Sequence, residues 1–155
     1  MRRGFTMIEL IFVIVILGIL AAVALPKFVG VSQQAKEGIV KGFVGTLNRT
    51  VGPTLWSKSQ MDGQNGSIRN FTSPDNNLST YTDIPSGMTA NLISSTTCAA
   101  STASSITPSK TNSLAYDSAN GWYVLCRDGN STNPPRFWYT DKTSSVTLDD
   151  QKLKL

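Results

Sequence analysis

At 155 residues the chain is long enough for one domain and not comfortably for two, and its 12 Gly, 7 Pro and 15% charged residues fit neither collagen nor a charge-rich disordered tail. It contains no histidine, which excludes Ser-His-Asp and Cys-His catalytic sets, HExxH sites and histidine-bearing zinc sites. The net charge of +4 is too small to argue for nucleic acid, and Arg2 and Arg3 supply two of those charges at the extreme N-terminus.

The segment Phe5 to Leu25 reads FTMIELIFVIVILGILAAVAL, with Glu9 as its one charge and no proline before Pro26. At about 1.5 Å per residue it reaches roughly 31 Å, close to the hydrocarbon thickness of a bilayer. A membrane span over residues 5–25 is therefore expected. Arg2 and Arg3 precede it, so the positive-inside bias puts the N-terminus in the cytoplasm and the rest of the chain across the membrane. A carboxylate near the bilayer centre costs roughly 2.5 to 3.5 kcal/mol, so Glu9 needs a partner or a role.

Over residues 26–56 the pattern becomes that of an amphipathic outer helix. Val31, Ala35, Ile39, Phe43, Leu47, Val51 and Leu55 recur every fourth residue, a stripe that drifts roughly 40° per step on an α-helix. Pro26 predicts a kink, and Pro53 an end or a bend.

Residues 57–155 read as a head. From Ser57 to Ser113 the chain is dominated by Ser, Thr, Asn and Gly, with turn signals such as Asp62-Gly63 and Asn65-Gly66, and reads as a long surface connection with short strands. Strands follow at Ser113 to Tyr116, Trp122 to Arg127 and Arg136 to Thr140, with a weaker fourth at Ser145 to Leu148. Asn120-Gly121 supplies a hairpin turn. Trp122, Tyr123, Phe137, Trp138 and Tyr139 are expected to form the core and cross-strand pairs of this sheet. The fold class is α+β, a long N-terminal helix packed by its outer half on a small antiparallel sheet. Cys98 and Cys126 are too few for a metal cluster. In an oxidising compartment they form one disulfide worth roughly 3.6 kcal/mol, with two reduced buried thiols as the alternative.

The run Gly4-Phe5-Thr6-Met7-Ile8-Glu9-Leu10, behind a short basic leader and opening an apolar helix, resembles the prepilin signature of type IV pilins and type II secretion pseudopilins. The resemblance covers Met1 to Phe28, Pro26 included, and extends in outline to the helix-and-sheet architecture. It implies that residues 1–4 are a leader, cut after Gly4 by a membrane aspartyl peptidase that also methylates the new amino group of Phe5. It implies that Glu9 pairs with the N-terminal amine of a neighbouring subunit, where snorkelling or pairing within the chain is the alternative. The implied partners are identical or homologous pilin subunits, the prepilin peptidase/methyltransferase, an ATPase-driven inner-membrane platform and membrane lipid. The implied place is the bacterial inner membrane, with the head periplasmic, and then a pseudopilus or a surface pilus.

The expected function is thus structural, with no enzymatic activity. A Sec signal peptide cut at Ala22-Val23-Ala24, or a single helix anchoring a binding or adhesive module, is the rival reading. The paired arginines also match twin-arginine export, on weak evidence from a dipeptide alone. Asn77 and Asn130 sit in acidic-x-Asn-x-Ser/Thr segments that resemble bacterial N-glycosylation sites, although turn chemistry is the expected role in so Asn-rich a chain. Asp141, Asp149 and Asp150 are oxygen donors in the region where major pseudopilins hold calcium. No EF-hand spacing accompanies them, so a solvated acidic tail is expected and no other cofactor is called for. Lys110, Arg127, Arg136 and Lys142 are scattered in sequence, and no specific nucleic acid is expected.

Overall fold

The computed structural model describes residues 4–148. Two compact units divide the chain, Met1–Glu37 and Gly38–Leu155. The first is built on the opening part of helix α1, Met7–Thr46. Its apolar side chains are open to the surroundings: Leu17, Ile19 and Leu20 are each more than half exposed, and none of its most apolar stretch is buried. Such a helix is long and apolar enough to cross a membrane, and its surface suits lipid or other helices rather than water. The helix runs through Pro26, whose missing N–H removes one hydrogen bond without ending it.

The second unit begins with the last turns of α1, passes a π-turn at Leu47–Val51 and continues as α2, Gly52–Met61. Pro53 does not end the helix. The turn before it is already widened, since the Gly52 N–H donates to the Leu47 carbonyl, a five-residue step. Pro53 then falls at the start of α2, where its lack of a donor is tolerated. The same widening takes up part of the drift of residues spaced by four, and Phe43, Leu47, Val51 and Leu55 all stay buried. Val31, Ala35 and Ile39, earlier members of that stripe, are exposed, and Val40 and Val44 complete the buried face instead.

Strand β5, Trp122–Arg127, is the centre of the sheet. The strands β4, Ala115–Asp117, and β6, Arg136–Thr140, pair with it antiparallel, and β1, Thr89–Ala90, adds to β4. One short parallel pair joins β2, Cys98–Ala99, to the end of β5. The β4–β5 hairpin turns through Gly121 at φ +73°, and the Asp117 carboxylate accepts the Ala119 and Asn120 N–H groups. Alternation along β5 sends Trp122, Val124 and Cys126 into the core shared with the helix, and Leu125 to the opposite face.

That opposite face is covered too. Leu125, Trp138 and Leu148 form a second buried cluster beneath a two-stranded ribbon of β3, Ser105–Ile106, and β7, Val146–Thr147. The expected last strand therefore forms, but pairs with β3 and not with the main sheet. The long connection is also less superficial than its composition implies, because Ile68, Phe71, Leu78 and Ile93 are buried in the main core. Cys98 and Cys126 face each other in register across β2 and β5, joined as a disulfide with both residues fully buried.

Asn48, on the π-turn, fixes helix to sheet. Its amide nitrogen donates to the Phe137 carbonyl at 2.7 Å while its Oδ1 accepts the Phe137 N–H at 3.0 Å. One side chain thus mimics a strand partner along the outer edge of β6.

Candidate functional site

Gly4, Phe5 and Thr6 lie before the first helical residue and are exposed. The Thr6 hydroxyl accepts the Glu9 N–H at 3.4 Å, and the Thr6 carbonyl accepts the Leu10 N–H at 3.2 Å. Thr6 therefore caps α1, and Thr6-Met7-Ile8-Glu9 has the spacing of a capping box. That signal was present in the sequence but is hidden when Glu9 is read only as a charge in an apolar run. Glu9 falls in the first turn of α1, where the exposed N–H groups favour negative charge. It is exposed and makes no ion pair among the described residues.

The peptide bond after Gly4 is thus outside the helix and open. A Cβ added at Gly4 would meet nothing within 4 Å, and Phe5 is 79% exposed. Glu9 lies about one helical turn beyond Phe5, so a free amine created at Phe5 would stand close to the carboxylate's end of the helix. An exposed carboxylate that pairs with none of the described residues can accept an ammonium from elsewhere.

The other candidate residues are not gathered with these. Asn77 caps the short 3-10 turn Leu78–Thr80, its Oδ1 accepting the Ser79 N–H. Asn130 closes a loop: its Oδ1 accepts from the Thr132 and Asn133 N–H groups, and its carbonyl accepts the Trp56 indole N–H at 2.8 Å. Asp141 is exposed just after β6, while Asp149 and Asp150 lie outside the described residues. Among the described residues no three His, Cys, Asp or Glu side chains come together to hold a metal ion.

Asp128, two residues before Asn130, is a structural hub. Its buried carboxylate accepts the Ile68 N–H at 2.8 Å and the Ser67 hydroxyl at 2.7 Å, tying the connection after α2 to the end of β5. Nearby, Asp75 accepts the Tyr81 hydroxyl at 3.1 Å and pairs with Lys58 at 3.4 Å. Burial, then the hydrogen bond and charge of Asp75, push the Tyr81 phenol up to about 12. Because the folded value lies above the ordinary 10.0, the stability tied to this protonated phenol is complete below pH 10 and is lost as pH rises toward 12. The ultraviolet phenolate step removed by Tyr81→Phe is expected near pH 12, and Asp75→Asn should move it down. A step at the ordinary tyrosine value would contradict the contact.

Comparison with known proteins agrees on the N-terminal segment. The prokaryotic N-terminal methylation motif matches residues 1–25. The chain is 55% identical over 38 residues to the type IV narrow pilus major component PilA5 of Thermus thermophilus, covering 24% of this chain and 33% of that protein. It is 51% identical over 46 residues to the type II secretion system core protein G of Pseudomonas aeruginosa, covering 30% and 32%. Against the type IV major fimbrial protein FimA of Dichelobacter nodosus it is 30% identical over 79 residues, covering 43% and 49%. The chain thus spans less than half the length of each of these relatives. No solved structure matches it. An apolar helix opened by a prokaryotic N-terminal methylation motif, on an α+β chain, makes this protein similar in its N-terminal part to type IV pilins and to a type II secretion pseudopilin.

Proposed function

We propose that the protein is a structural subunit of a type IV filament, either a pilus or a type II secretion pseudopilus. The observation that carries this reading is the N-terminal segment itself: an exposed Gly4-Phe5 bond, a capped helix start with Glu9, and an apolar helix whose most apolar stretch is exposed among the described residues. In this reading a membrane peptidase cuts after Gly4 and methylates Phe5, and the helix holds the subunit in the inner membrane with the head outside the cytoplasm. An ATPase-driven platform then draws subunits into a helical bundle.

Leaving lipid for a bundle exchanges one apolar surrounding for another, so the hydrophobic gain is small. Packing and the pairing of Glu9 with a neighbour's Phe5 amine supply the direction. The protein catalyses nothing, and calcium at Asp141, Asp149 and Asp150 or glycan at Asn77 and Asn130 would be ancillary to assembly.

The test compares Glu9→Ala with wild type. The variant is expected in the membrane, cut after Gly4 as usual, but reduced about tenfold or more in the sheared or periplasmic filament fraction. Wild-type filament yield from the variant would remove the assembly role of Glu9.

A further inference from the structure

Within the head unit, Lys41 at the end of α1, Arg49 on the π-turn and Arg136 at the start of β6 converge on one open groove of about 560 Å³. Gly42 and Gly45 lie along it, and a Cβ on either would meet nothing within 4 Å, so an approaching group reaches the helix backbone closely. Thr46 adds a hydroxyl, and no acidic residue lines the groove. All three cations are exposed, and none has a hydrogen bond or ion pair among the described residues. Three like charges gathered without a counter-ion favour an anionic partner.

The carboxylates of the described head are unevenly committed. Asp62 and Asp75 face Lys58, and Asp117 and Asp128 are buried in hydrogen bonds to backbone. Asp83 and Asp141 are exposed and have no partner among the described residues. Among the described residues of the head, the surface therefore carries an unmatched cationic groove and unmatched carboxylates at other places, the arrangement expected of a molecule that meets copies of itself.

We propose that this groove is the docking site for the head of a second copy in the filament, whose Asp83 or Asp141 carboxylate enters among Lys41, Arg49 and Arg136. The proposal rests on the filament reading above. Arginine takes a carboxylate with two parallel hydrogen bonds, which fixes orientation as well as attraction. One exposed pair contributes little alone, but a contact repeated at every subunit sets the register of the whole array. A polyanion tracking its backbone would need a longer basic stripe, and Lys110 and Lys142 do not line the groove.

The test uses the full chain in assembling cells. Thr46→Cys combined with Asp83→Cys, or with Asp141→Cys, is oxidised in intact filaments; the native cysteines are already joined to each other and do not compete. One of the two pairs is expected to give covalent dimers and ladders. The Arg49→Glu, Arg136→Glu double variant should lose about tenfold or more in filament yield, with recovery on Asp83→Lys or Asp141→Lys. Wild-type yield from the double variant with no cross-link from either pair overturns the docking site while leaving the filament reading intact. Loss of duplex-DNA binding by that variant at unchanged filament yield overturns it in favour of a nucleic-acid groove. Absence of wild-type filaments overturns both readings.

Discussion

A chain carrying Gly4→Val stays in the membrane with its basic leader attached and is missing from the filament fraction. The fold gives valine no reason to be harmful there. Nothing lies within 4 Å of a Cβ at Gly4, and the residue precedes α1, so helix stability is unaffected. Any loss falls on recognition, where a side chain at the cut site blocks close approach of the scissile backbone to a protease. In the proposed filament the consequence at Glu9 is indirect and large: without the cut no free amine forms at Phe5 for a neighbour's carboxylate, and the charges of Arg2 and Arg3 stay in the uncut sequence. N-terminal sequencing of the membrane fraction should read Met1 for the variant and Phe5 for wild type. A variant cut as efficiently as wild type would place processing elsewhere.

The head offers a second large effect, at Gly66. Its φ is +81°, and an added Cβ would clash with the Asn130 carbonyl oxygen and meet the Trp56 indole nitrogen at 2.6 Å. These are the two partners of the hydrogen bond that ties α2 to the loop after β5. Gly66→Ala therefore strains the backbone and breaks a tertiary contact together, at a cost of about 3 to 5 kcal/mol. In a head of this size that lowers Tm by more than about 10 °C. Gly63 is the control, with φ +71° in the same connection and nothing within 4 Å of an added Cβ. Its alanine variant bears only the left-handed backbone cost of about 1 to 2 kcal/mol. Circular dichroism melts of the full chain in detergent should separate the two, and equal shifts would contradict the close crossing.

Much of this fold is legible in local pattern. The strands Trp122 to Arg127 and Arg136 to Thr140 occur at their expected bounds, because aromatic and β-branched residues between turn signals specify extended backbone. The hairpin at Asn120-Gly121 follows for the same reason. What escaped depends on partners distant in sequence. β2 and β3 are two-residue strands in Ser/Thr-rich chain, and exist because β5 and β7 lie beside them. Alternation predicts that Val146 and Thr147 are extended but not that they pair with β3 instead of the main sheet.

Pro53 misleads as a helix end because the compensation is a change of hydrogen-bond step in the preceding turn, which residue identity does not reveal. The N-terminal site is the opposite case. Gly4, Phe5, Thr6 and Glu9 lie within six consecutive residues, so their relation is fixed by spacing alone. The cationic groove was invisible for the reason that hid β2: Arg136 reaches Lys41 and Arg49 only through the pairing of helix and sheet that Asn48 secures.

The most direct test is intact and N-terminal mass spectrometry of the wild-type protein, taken without reductant from sheared or periplasmic filaments. A chain beginning at N-methylated Phe5 and two hydrogens light, from the Cys98 to Cys126 bond, is the predicted result. A chain beginning at Leu25, or found only outside filaments, would contradict the account and leave a secreted or anchored module in its place.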